Sequence, residues 1–169
     1  CAEDVTQFAL ASRKLLTDHY RALQALHGPD ERHNQFPLAL PSLALFRTTR
    51  RIVGRATMTD GQHGQHVADS VGLVADWRKA GHVWEIPYGA LVPHRGRGLL
   101  AAGRCISSEK DAWQVTRSIP AAAATGQVAG LAATLAVRSA TTPDRLAATD
   151  VQELLTAKGI PLHLRDVGL

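Results

Sequence analysis

Between Val5 and Leu26 the apolar residues Val5, Phe8, Ala9, Leu16, Tyr20, Leu23 and Leu26 recur at helical spacing, with Arg13, Lys14, Asp18 and Arg21 between them. The pattern predicts an amphipathic helix over Glu3–His27, stopped by Gly28 and Pro29, then a loop of turn formers to Pro41. In "SLALFRTTRRIVGRATMT" the apolar Leu43, Leu45, Ile52 and Val53 alternate with arginines, which predicts an antiparallel strand pair or one bulged strand. A loop through "DGQHGQHVAD" leads to a short helix or strand around Val67–Ala75. "HVWEIPYGALV" reads as a strand broken at Pro87, and "GRGLLAAG" as a buried strand closing on Gly103. Helical spacing returns over Ile119–Val137, with Pro120 suited to a first turn. A last short helix is expected with Thr149 as its cap, Val151, Leu154 and Leu155 as its apolar side, and Gly159 and Pro161 as its end.

The helix over Ile119–Val137 is built almost wholly of small residues and contains Gly126-x-x-x-Gly130, a pattern also found in membrane helix pairs. Alanine, glycine and threonine contribute little to membrane insertion and Gln127 sits mid-span, so a buried, closely packed helix is expected and no membrane. Gly126, Ala129, Gly130 and Ala133 then allow another helix or a ligand to come near its backbone. Its start near Pro120 leaves unpaired N–H groups that favour an anion or an electron-rich ring. Ordinary packing of a helix on a sheet uses the same residues, so both readings stand at this point.

Composition adds limits. The 169 residues carry a net charge of +4, but the arginines are scattered and only 5% of residues are aromatic, so no nucleic-acid partner is expected. Two cysteines, Cys1 and Cys105, make no disulfide framework, and a reducing, cytoplasmic setting is the default. His63 and His66 read as part of a solvated loop, and no metal is expected because no third ligand is evident nearby. The chain starts at Cys1 rather than Met, which suggests processing or a longer parent polypeptide. A mature lipoprotein also starts on cysteine, but the helical residues that follow do not resemble a tether.

The motifs "LFRTTRRIVGRATMTD", "WEIPYGALVP", "GLLAAGRCISS" and "VTRSIPAAAATGQVAG" resemble the C-terminal half of a family of FAD-dependent oxidoreductases with a glutathione-reductase-like FAD fold, over roughly Leu43 to Leu162. The resemblance implies that Gly103, Arg104 and Cys105 run beside the ribityl and pyrophosphate of FAD. It implies too that the helix starting near Pro120 points Ala121 and Ala122 at the pyrimidine edge of the flavin, where reduction places negative charge. Arg117 would add a fixed positive charge. Arg47, Arg50 and Arg51 would lie on the substrate side, although sheet-edge ion pairs account equally well for two of them, and His94 would relay a proton. Thr48 stands where the family usually has an acidic residue. Cys105 has no partner thiol and reads as a buried small hydrophobe.

The fingerprint G-x-G-x-x-G after an N-terminal strand is absent. The expectation is therefore an α/β chain that forms the C-terminal part of a Rossmann-like FAD-binding flavoprotein, completed by a second polypeptide carrying the dinucleotide-binding half. Its parts are a helix and loop over 1–41, substrate-side strands over 42–98, the closing strand and flavin-facing helix over 99–138, and a helix and tail over 139–169. The expected activity is hydride transfer between flavin N5 and a small-molecule substrate. The alternative is a non-catalytic interaction subunit on a degenerate flavoprotein fold; a third reading, a hydrolase using Cys1 as nucleophile, is opposed by the helical start.

Overall fold

Amphipathic spacing at the start of the chain produces α1, Ala2–His27, in the computed structural model, which describes residues 1–30, 33–40 and 47–169. The chain divides into two compact units, Cys1–Phe46 and Arg47–Leu169. In the first, α1 buries no residue, and Gly28 at φ +84° ends it. The side chain of Gln24 donates to the carbonyl of Gln35 (3.0 Å), turning the following segment back along the helix.

The second unit is organised around an antiparallel pair, β1 (Ser70–Ala75) and β2 (Val83–Pro87). Leu73 faces Glu85 and Val74 faces Trp84, whereas Ser70 faces Pro87, so one extra residue is accommodated in β1 at Gly72, whose φ of +153° suits glycine. Pro87 ends the ladder and a single tight helical turn, Tyr88–Ala90, follows it into the core. Three further helices complete the unit: α2 (Lys110–Thr116), α3 (Ile119–Arg138) and α4 (Ala148–Thr156). α3 packs on β1, α2, α4 and the turns Gly103–Cys105 and Pro143–Arg145. The core joins Met58, Trp84, Ile86 and Leu91 to Ile106, Val115, Val128 and Leu155. This mixture of helices and strands fits the expected α/β class.

Several local expectations are corrected. Within the predicted strand region, Pro41–Phe46 lies outside the described residues, and Arg47–Met58 forms no strand. That segment runs between two neighbours and bonds to both: Ile52 to the Cys105 carbonyl, Arg55 to Val92, Ala56 to Gly89 and Met58 to Ser107, at 2.9–3.1 Å. Neither neighbour offers a continuous ladder. "GRGLLAAG" is likewise no strand, because Gly96 and Gly98 take positive φ, Leu99 is exposed, and its N–H groups go to scattered partners rather than one ladder: Gly98 to the Asp144 carboxylate, Ala101 to the Leu91 carbonyl and Gly103 to the Thr125 hydroxyl. It ends in a tight turn at Gly103–Cys105. α4 starts after Ala147 rather than Thr149, and α2 went unforeseen.

The small-residue helix is buried on one side only. Ala121, Thr125, Val128, Ala132 and Ala136 face the core. Ile119, Gly126, Gly130, Ala133 and Val137, spaced by seven, four, three and four, form an exposed stripe on the other side. A Cβ added at Gly126 or Gly130 meets nothing within 4 Å, so the close backbone approach expected there is not made among the described residues. By length and composition alone α3 could cross a membrane, with 28% of its apolar window buried inside the protein.

Candidate functional site

Pro120 fixes φ at the first turn of α3 and brings no N–H of its own, and the N–H groups of Ile119 and Ala121 have no intrahelical acceptor. These free donors open onto a cavity of about 700 Å³ lined by Leu73, Val74, Ala75 and Trp77 on one side and by Arg104, Arg117 and Ser118–Ala121 with Ala124 on the other. Among the described residues, none that lines it is acidic.

The turn Gly103–Cys105 is locked to α3 from below. Gly103 takes φ +68°, and its N–H donates to the buried Thr125 hydroxyl (2.9 Å), which donates in turn to the Ala121 carbonyl (2.7 Å). A Cβ on Gly103 would stand 3.2 Å from that of Ala122, so the turn and the helix meet where a side chain would crowd them. The carbonyl of Arg104 accepts from the Trp113 indole (2.8 Å), which anchors the backbone and leaves the guanidinium exposed.

Charge at the cavity is one-sided. Arg117 donates to the Gln114 side chain (2.9 Å), and among the described residues neither Arg104 nor Arg117 has a carboxylate at ion-pair distance. Burial, and then the neighbouring Arg47, Arg104 and Arg78 guanidiniums, hold Arg117 below the usual arginine range. Arg78 is compensated: it grips Asp76 through two bonds of 2.9 Å and reaches Asp111 at 3.4 Å. Positive charge crowded without counter-charge, beside a helix N-terminus, is an arrangement that a negatively charged or electron-rich group relieves.

Of the residues singled out from sequence, Arg104, Arg117, Pro120 and Ala121 line this cavity and Arg47 contributes to its field, whereas Gly103 and Ala122 are outside the lining and the Ala122 N–H, expected to face a ligand, is spent on the Ser118 carbonyl (2.9 Å). Cys105 is exposed rather than buried as expected, because it closes the tight turn Gly103–Cys105 on the solvent side, its thiol directed at the Ala102 carbonyl (3.3 Å). Arg50 is exposed and outside the lining. Arg51 instead bonds to the Ile52 carbonyl, Ser107 and Glu109, an ion-pair role that sequence reasoning had left open. His94 lines a separate cavity of about 540 Å³ with Ile52, Val53, Pro93, Arg95 and Leu99. The wall from Leu73 to Trp77 was missed, because an apolar strand followed by "DWRK" carries no signal of a ligand.

FAD carries anionic phosphates and a ring whose pyrimidine edge gains negative charge on reduction, and this acid-free lining among the described residues, with its free N–H groups and arginines without carboxylate partners, fits it. Comparison with known proteins finds no match among curated proteins and none among solved structures. The family model described as FAD dependent oxidoreductase matches residues 3–155. That match spans most of the chain, which therefore belongs to the FAD dependent oxidoreductase family, with FAD as its cofactor.

Proposed function

We propose that the chain supplies the pyrimidine-side wall of the FAD site in a cytoplasmic oxidoreductase, as the C-terminal part of a Rossmann-like fold completed by a second polypeptide carrying the dinucleotide-binding half. The observation that carries this reading is the acid-free cavity at the start of α3, where Arg104 and Arg117 meet the free N–H groups of Ile119 and Ala121. When bound, FAD supplies the hydride-accepting or hydride-donating position at N5. The chain's own part is electrostatic. The Ala121 N–H and the α3 dipole stabilise negative charge on the adjacent ring edge, and Arg117 reinforces them with a charge that proton transfer does not remove. Arg47 and Arg50 would hold an acidic group on a small organic substrate. The exposed stripe along Gly126, Gly130 and Ala133 supports completion by a further polypeptide, since small residues permit a close helix contact. The cytoplasmic placement rests on the sequence alone, whose two cysteines make no disulfide framework.

The test is a denaturing gel with intact mass and an absorbance spectrum on native material. Flavin absorbance, FAD released on denaturation and a second polypeptide bearing G-x-G-x-x-G are the expected result. A single colourless chain overturns the proposal and favours a non-catalytic interaction subunit.

A further inference from the structure

His66, Glu85 and His163 come from three separated stretches: the loop before β1, the middle of β2, and the residue that opens the turn Leu164–Val167. One ligand atom from each lies within 4.8 Å of the others. Glu85 is 3% exposed, yet its carboxylate is held ready. Oε1 accepts the Leu164 N–H (2.8 Å) and Oε2 accepts the Val67 N–H (2.7 Å). Two backbone donors already fix its orientation, as supporting hydrogen bonds do for metal-binding carboxylates.

Both imidazoles nevertheless turn Nδ1 toward the same oxygen, Oε2, at 2.8 Å for His163 and 3.5 Å for His66. Their ring centroids lie 4.7 Å apart at 44°, so the rings converge on that oxygen without stacking. A buried carboxylate with two N–H donors is satisfied by one further partner; a second convergent imidazole has no such explanation. Donors around a tetrahedral ion stand about 3.3 Å apart when bonds are about 2.0–2.1 Å long, and the observed separations bracket that value. The cluster also borders a cavity of about 310 Å³, which leaves room for a water ligand.

We propose that His66, Glu85 and His163 bind one divalent transition ion of the zinc class, with the fourth position open to that cavity. Two neutral imidazoles and one carboxylate suit such an ion, and the net charge of the site becomes +1 (one negative charge plus two positive). Binding at His163 Nδ1 displaces the proton shared with Glu85 Oε2, and the neutral imidazole carries its single proton on Nε2 instead, so no net proton is released. The ion would clip the 64–67 loop and the C-terminal turn to β2. The site is separate from the cavity at α3 and does not depend on the flavin reading. A second histidine pair provides an internal control: His63 and His82 stack face to face, 4.4 Å apart at 20°, against Trp84.

The test is calorimetric titration of chelator-treated native protein with Zn²⁺, beside His66→Gln and His63→Gln; His66 is largely exposed, so its replacement leaves the fold intact. The expected result is one Zn²⁺ per chain and a rise in melting temperature on Zn²⁺ addition. Affinity should fall in His66→Gln by more than the roughly 10–100-fold that loss of an outer-shell partner costs, with no change in His63→Gln. Absence of saturable binding overturns the proposal, as does binding unaffected by His66→Gln or abolished by His63→Gln.

Discussion

Replacing Gly54 by alanine sets one methyl group against three obstacles that cannot rotate away. The new Cβ would stand 2.7 Å from the Ala56 carbonyl oxygen, 2.7 Å from the Ser107 Cβ and 2.8 Å from the Gly89 carbonyl oxygen. Two of these are backbone atoms and the third is fixed to backbone, so relief requires moving the 54–58 segment off its two neighbours. That movement stretches the bonds from Arg55, Ala56 and Met58 to Val92, Gly89 and Ser107. Overpacking a tight interior costs about 1–3 kcal/mol, and the rigid obstacles place Gly54→Ala near about 3 kcal/mol. For a unit of this size, 1 kcal/mol moves the melting temperature by roughly 4 °C, so a fall of roughly 12 °C is expected. Gly126→Ala is the matched control: the same methyl meets nothing, and an alanine inside a helix should add about 0.5–1 kcal/mol. Denaturant unfolding of both variants followed by tryptophan fluorescence gives the comparison. A loss under about 1 kcal/mol for Gly54→Ala would refute the claim that this contact is rigid.

Arg117→Gln should weaken FAD retention and lower the flavin reduction potential, by the equivalent of about 1–2 kcal/mol for a charge at an effective dielectric of about 20; an unchanged redox titration counts against its role. Tyr88 is buried and donates to the Pro143 carbonyl, and burial pushes its phenol up to about 12. Its contribution to stability is therefore complete below the ordinary phenol value of 10.0 and lost as pH rises toward about 12. In Tyr20→Phe, where Tyr88 alone reports, phenolate absorbance should rise together with alkaline unfolding. The Arg78 guanidinium holds the Asp76 carboxyl below its ordinary 3.8, so its stabilisation is present above that pH and lost as pH falls through the lower folded value. Asp76→Asn should accordingly weaken the fold at neutral pH and flatten the acid limb of the stability curve. Gly126→Leu, which also replaces glycine by a good helix former in open space, should raise the chain's own stability by about 0.5–1 kcal/mol but reduce recovery of a second polypeptide on co-purification.

Helices α1 and α3 were legible because periodicity, the Gly28 stop and Pro120 are local signals that the chain obeys on its own. The strands were half legible. β2 follows the apolar run to Pro87, whereas Leu99–Ala102 has the same composition and no ladder, since pairing depends on a partner that composition does not name. The arginine and helix-terminus side of the cavity could be read from its motifs, but Leu73–Trp77 reaches it only through tertiary packing. Glu85 is the clearest omission. In sequence it is a lone acid in an apolar strand, and its partners His163 and Leu164 lie 78 and 79 residues further on. The same separation hides the third member of a group whose first, His66, reads in sequence as part of a solvated loop.

The carboxylate of Glu85 also orders events during synthesis. β1 and β2 can pair as soon as they leave the ribosome, but packing that hairpin into the core buries an anion that still lacks its bonds to His163 and Leu164. A nascent chain stopped short of Leu164 therefore holds an incompletely compensated charge in its centre, and the hairpin should keep reopening to water until those residues arrive. Completion of the unit is thus tied to emergence of its last turn, so a ribosome-stalled chain ending before His163 should remain sensitive to proteases where the released chain does not.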